Sequence, residues 1–106
     1  RQEPAVIRMG GGAANSAVWS QIFADVLNLP IQQVSGVREL GALGSAMAAG
    51  VAAGIYPDYS QAAQAMVRMG TPILPDPGRH AVYQAKFETY QAISSALDTI
   101  WDRFVV

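Results

Sequence analysis

Hydrophobic and polar positions change rhythm several times along the chain, and each change marks an element. Ala5 to Met9 is a short, mostly apolar run between Pro4 and Gly10, which predicts a strand. Gly10-Gly11-Gly12 predicts a turn, with Asn15 or Ser16 as the N-cap of the helix that follows. From Ala17 to Asn28 the apolar positions recur at helical spacing. Val18, Ile22 and Val26 form one stripe, with Trp19 and Phe23 beside it. So wide an apolar face predicts a helix covered on more than one side. Pro30 disfavours helical geometry at Leu29 and is expected to end the helix. Ile31 to Val34 predicts a second short strand, and Ser35-Gly36 a turn.

A second helix is expected from Arg38 to Ala53. Leu40, Leu43, Met47 and Val51 make one stripe, and Gly41, Gly44, Ala48 and Ala52 another. Glycine inside a helix costs about 1 kcal/mol relative to alanine, so this small face predicts close approach to another backbone. Gly54 suits the position just past the helix end. Asp58 or Ser60 is the expected cap of a third helix, Gln61 to Met69, stopped by Gly70. Thr71 to Gly78 contains Pro72, Pro75 and Pro77, which predicts an extended crossing and not an interior strand. The last helix is expected from about Arg79 to Phe104. Tyr83, Tyr90, Leu97 and Phe104 share one face, with Phe87, Ile93, Ile100 and Trp101 widening it. That pattern predicts a long amphipathic helix packed on the body of the domain.

Composition sharpens this picture. A chain of 106 residues is one domain or part of one. Charged residues make up 14%, against about 25% in an average globular domain, so many surfaces expect a cover. The chain opens Arg1-Gln2-Glu3-Pro4 and runs directly into a strand, which suggests a segment of a longer protein. A net charge of −1 with no basic run argues against a nucleic-acid partner. The lack of cysteine excludes a disulfide framework and a thiolate metal site. Leu40 to Ile55 falls short of the roughly 20 apolar residues a membrane span needs, so no membrane association is expected, and a cytoplasmic location fits.

The strand–glycine–helix junction is the candidate site. It presents bare backbone N–H groups at a helix N-terminus, where a nucleotide can approach closely. No Walker lysine follows the glycines. Gly10 and Gly12 fit the dinucleotide fingerprint, but Asn15 stands at its third glycine and no acid ends the second strand. A dinucleotide-binding fragment is therefore one alternative, and a small non-enzymatic, oligomerising interaction domain is another. Asp25 reads as a solvated or capping carboxylate. Glu39 reads as a dipole partner of the second helix or a contact of the glycine turn. His80 belongs to the first turn of the last helix, without a metal role. Asp98 and Asp102 read as a solvated face, and Trp19 and Trp101 as packing residues.

Met9-Gly10-Gly11-Gly12-Ala13-Ala14-Asn15-Ser16, followed by Trp19, Gln21, Ala24 and Asp25, resembles the adenosine-binding motif of the FGGY carbohydrate kinases. Leu29-Pro30-Ile31, the block Glu39 to Gly50, Gly54-Ile55-Tyr56, and Tyr83, Phe87 and Tyr90 keep that family's order. Within it the chain is most similar to enzymes of the xylulokinase and L-xylulose kinase type. The resemblance implies an α/β fold: a partial actin-like ATPase domain, ribonuclease-H-like, with two short strands and about four helices. Residues 1–106 would be the C-terminal part of the second of two domains, which close on ATP between them. Gly11, Gly12 and Ala13 would lie against the adenosine, with Ser16 or Asn15 hydrogen-bonding the base. The resemblance implies Mg-ATP as cofactor and a pentulose or similar sugar as substrate, with the catalytic base and Mg²⁺ outside this chain. Alone, the chain is expected to be catalytically inactive and to oligomerise.

Overall fold

The structure, a computed structural model, describes residues 4–35 and 39–104, with the backbone alone for Asp102. The element order is β1 (Ile7–Met9), a 3-10 turn (Gly12–Asn15), α1 (Ala17–Leu27), β2 (Ile31–Ser35), α2 (Leu40–Ala52), α3 (Tyr59–Met66), β3 (Arg68–Met69), α4 (Pro77–Trp101) and a closing 3-10 turn (Asp102–Phe104). The expected turn at Gly36 and helix start at Arg38 lie outside the described residues. β1 and β2 are parallel, with Ile7 opposite Ile31 and Met9 opposite Gln33. Parallel neighbours need a crossover, and the 3-10 turn and α1 supply it.

The sheet has one strand more than expected. Arg68 and Met69, read as the end of the third helix, form β3 and pair antiparallel with Ser35 and Val34. Val67 is already extended, and the Gly70 N–H donates to the Gln33 carbonyl at 2.8 Å. The free edge of β2 outweighs the helical spacing of the sequence there. The proline-rich crossing is extended as expected, and touches the sheet once. Ile73 and Ile31 exchange backbone hydrogen bonds of 2.9 and 2.7 Å.

Helix ends follow local chemistry. Ser16 caps α1, its hydroxyl accepting from the Trp19 N–H at 3.3 Å. Asn28, left-handed at φ 52°, closes α1 one residue before Leu29, so the end does not wait for Pro30. Gly54 at φ 72° follows α2, as expected. Asp58 caps α3, accepting from the Gln61 N–H at 2.8 Å. Asp76 caps α4, which begins at Pro77 and not at Arg79; its carboxylate accepts from the Arg79 N–H at 2.9 Å.

The packing departs from the apolar pattern in three places. The buried side of α1 is Ser20, Ala24 and Asp25, whereas Val18, Trp19, Phe23, Val26 and Leu27 are exposed. Trp19 leans on Phe23, ring centroids 6.1 Å apart, and both face outward. Gly41 and Gly44 of α2 have open space where a Cβ would sit; the close approach in that helix is at Gly50, under the Tyr56 ring. α4 rests on α1 through its first turns only, and every residue described from Gln84 onward is exposed, Trp101 included. The reason is common to all three. Buried apolar side chains are few (Ala14, Ala24, Ile31 and Ala62), and the radius of gyration is 19.1 Å, where a compact chain of this length has about 13 Å. These amphipathic faces have no cover among the described residues.

Candidate nucleotide site

The glycine junction folds as a raised loop on a braced base. Gly11 has φ 88° and ψ −171°, a backbone geometry open almost only to glycine. From there the chain tightens: the Ala14 N–H donates to the Gly11 carbonyl at 3.1 Å, and the Ser16 N–H to the Ala13 carbonyl at 3.2 Å. Ala14 points inward and is buried, while Gly11, Gly12, Ala13 and Asn15 are exposed and Ser16 is half-buried. Beneath the loop, the Gln33 side-chain amide donates to the Ala14 carbonyl and, at 2.9 Å, to the Ser20 hydroxyl. One β2 side chain thus ties the turn to the first two turns of α1. Gly10 sets the approach from β1, since a Cβ there would run into the Leu40 side chain.

The structure places all five predicted residues, Gly11, Gly12, Ala13, Asn15 and Ser16, on one continuous loop. Nothing stands within 4 Å of where a Cβ at Gly11 or Gly12 would sit, so a flat ligand has access to bare backbone. The first N–H groups of a helical turn have no partner within it, which leaves donors on this exposed side. Ser16 already spends an oxygen lone pair on the α1 cap, and Asn15 makes no side-chain hydrogen bond among the described residues. Glu39, at the start of α2, is exposed and makes no capping hydrogen bond.

Asp25 is the residue that sequence reasoning misread. It is 1% exposed and neither solvated nor a cap. Its carboxylate accepts from the Gln21 amide and from the Asp76 N–H, both at 2.8 Å, and lies 3.0 Å from Arg79 Nε. Burial pushes this carboxyl up, but the Asp76 N–H, the Gln21 amide and the Arg79 guanidinium outweigh it, so its pKa lies below the ordinary 3.8. Gln21 also donates to the Leu74 carbonyl at 2.9 Å, and His80 Nδ1 lies 2.8 Å from the Asp25 carbonyl oxygen. The node fastens α1, which begins at the site, to the crossing and to α4. The one local signal was Gln21 and Asp25 one turn apart on the Ala24 face; Arg79, in the first turn of the last helix, lies too far along the chain to be paired with Asp25 from sequence.

No three His, Cys, Asp or Glu side chains gather into a metal set among the described residues, and none of their helices is long and apolar enough to cross a membrane.

The fold superposes on a ligand-bound xylulose kinase from Lactobacillus acidophilus with a TM-score of 0.84 and 28% identity, over 97% of this chain and 21% of that one. It superposes on a gluconate kinase from the same organism with a TM-score of 0.83, also at 28% identity, over 97% of this chain and 20% of that one. In sequence it is 39% identical over 90 residues to the autoinducer-2 kinase of Escherichia coli (strain K12), covering 85% of this chain and 17% of that protein. It is 40% identical over 91 residues to the L-xylulose/3-keto-L-gulonate kinase of the same strain, covering 86% and 18%. The pattern of the FGGY family of carbohydrate kinases, C-terminal domain, matches residues 1–53, and the chain belongs to that family.

Proposed function

We propose that this chain is the C-terminal part of the second domain of an ATP-dependent sugar kinase and forms the adenosine side of its nucleotide site. The observation that carries the reading is the exposed loop Gly11–Ser16, with open space at both glycines and a brace from Gln33 below. Gly11 and Gly12 admit the flat face of the adenosine where a side chain would collide, and Ala13 lies beside them. Asn15 or Ser16 hydrogen-bonds the base edge. Asn15 makes no side-chain hydrogen bond among the described residues, and the Ser16 hydroxyl keeps its proton to donate while it caps α1.

Mg-ATP is the cofactor this reading implies, and the loop suits its adenosine end. In this reading the metal is held by parts of the parent protein outside this chain. Phosphoryl transfer works by positioning and charge neutralisation. This segment's contribution is positioning: it holds the base so that the γ-phosphate faces a sugar hydroxyl activated elsewhere. The substrate is a pentulose or a similar sugar, in keeping with the family and with relatives named for xylulose, L-xylulose and gluconate. The segment alone turns over no ATP, and its uncovered faces make it self-associate.

The test is nucleotide titration of the full-length parent protein by amide NMR or by hydrogen exchange. Protection at 10–16 on adding ATP or adenosine supports the reading. Protection elsewhere, with this loop unchanged, sinks it. Clear sugar-kinase turnover by the 106-residue chain alone overturns the assignment of the catalytic base to another part of the protein.

A further inference from the structure

Gln33 is a polar residue at a position where packing alone calls for an apolar one. β2 is the middle strand of the sheet, and its side chains alternate between two faces. Gln33 and Ile31, which is 1% exposed, share the α1 side. Gln32, on the other side, reaches the Gly70 carbonyl at 3.0 Å. A residue beside Ile31 at the centre of a sheet is most often aliphatic. Gln33 is instead pinned through both its backbone and its amide. Met9 of β1 lies opposite it, and the Gly70 N–H donates to its carbonyl at 2.8 Å. An amide nitrogen carries two protons, and here one goes to the Ala14 carbonyl and the other to the Ser20 hydroxyl at 2.9 Å. A carbonyl can only accept, so the nitrogen and not the oxygen of the amide faces Ala14. Ser20, fully buried, holds the amide in that orientation.

The fork controls the direction of one peptide plane. A 3-10 turn leaves its last carbonyls without a partner inside the turn. Ala14 is 4% exposed, and among the described residues the donor that reaches its carbonyl is the Gln33 amide. That carbonyl and the Asn15 nitrogen belong to one planar peptide unit. Holding the carbonyl down on Gln33 therefore fixes the plane from which Asn15 and then Ser16 leave. Gly11 and Gly12 have nothing within 4 Å to hold them from the ligand side, so the loop takes its shape from below.

We propose that Gln33 is a positioning residue for the nucleotide: through the Ala14 carbonyl it aims Asn15 and Ser16 at the base, and so sets both the affinity for ATP and the preference for adenine over guanine. This role rests on the reading of the loop as the adenosine side of the site. Gln33 acts at one remove, from beneath Ala14. Base preference follows because a correctly aimed polar group is left unpaired by the wrong base edge.

The experiment measures ATP and GTP affinity by calorimetry on the full-length parent protein carrying Gln33→Met or Gln33→Glu, with urea unfolding as the control for folding. Gln33→Met keeps nearly the same volume and removes the donor. ATP affinity is expected to fall about tenfold, and the ATP-to-GTP ratio to shrink about threefold. In Gln33→Glu a carboxylate faces the Ala14 carbonyl, acceptor against acceptor, and protonation turns it into a donor. Met9, Gly70, Ala14 and Ser20, which meet this position from β1, the end of β3, the loop and α1, carry no charge, so the new carboxyl is the group that titrates there. Its loss of ATP affinity, taken against wild type at the same pH, is expected to shrink as pH falls from about 8 to about 5.5. Wild-type affinity and ratio in both folded variants overturn the proposal and leave Gln33 a packing residue. An equal loss in both variants at every pH also overturns it, because the donated hydrogen bond is then not the cause. If neither variant folds, Ser20→Ala, which frees the fork without removing it, is expected to weaken ATP about threefold, and unchanged affinity refutes the role. Hydrogen exchange separates this role from the reading beneath it. ATP that protects the wild-type protein away from 10–16 sinks the reading, whereas amides 13–16 of ligand-free Gln33→Met that exchange no faster than wild type sink the positioning.

Discussion

Gly11 and Gly12 are neighbours, yet an alanine at each is expected to have opposite effects on stability. Gly11 sits at φ 88° and ψ −171°, where an L side chain strains the backbone by about 1–3 kcal/mol whatever the space around it. Gly12 opens a 3-10 turn without a positive φ, and its Cβ would meet nothing within 4 Å. Alanine there restricts the unfolded chain and stabilises by about 0.4–1 kcal/mol. The two are expected to agree on ligand. Gly11→Ala displaces the loop, and Gly12→Ala puts a methyl group where the adenosine would lie. A loss of about 1.4–2.8 kcal/mol of contact weakens ATP binding 10- to 100-fold. The measurement is urea unfolding of the full-length protein alongside ATP titration by calorimetry. Gly12→Ala with unchanged ATP affinity would refute the placement of the adenosine. A Gly11→Ala protein as stable as the parent would refute the strained geometry.

Other substitutions test the frame around the site. Ser16→Ala removes the α1 cap and is expected to cost about 1 kcal/mol in denaturant unfolding, with Ser16→Asp recovering most of it. Asn28→Val is expected to cost about 1–2 kcal/mol by the same assay, because a β-branched residue resists φ 52°, while Asn28→Gly is tolerated. For Asp25 the folded pKa lies below the unfolded value, so its stabilisation is fully present above pH 4 or so and fades as pH falls through the lowered pKa. The stability gap between wild type and Asp25→Asn, followed by unfolding across an acid pH series, should therefore narrow on acidification. A gap that widens contradicts the sign.

The local signals were legible because they depend on a few neighbouring residues. Ser16, Gly54 and Asp58 announce helix ends by the geometry and hydrogen bonds their own side chains allow. The glycine loop was legible for the same reason, as was the order of motif blocks that tied it to the sugar kinases. β3 was not: Arg68 and Met69 continue a helical spacing, and only the free edge of β2 recruits them. Nor was the role of Asp25 legible, since its partners Asp76 and Arg79 come 51 and 54 positions later.

Sequence alone determined that four helices form and roughly where, which stretch forms the bare loop, and that the chain is poor in charge because its surfaces expect a cover. Tertiary structure decided which faces receive that cover here. On α1 the small and polar side is buried, Ser20 toward Gln33 of β2 and Asp25 toward the start of α4, and the aromatic side faces out. Amphipathic periodicity reports that a face will be buried in the finished protein, but carries no information on which neighbour buries it. Those contacts join distant positions, and the largest apolar faces have no cover among the described residues.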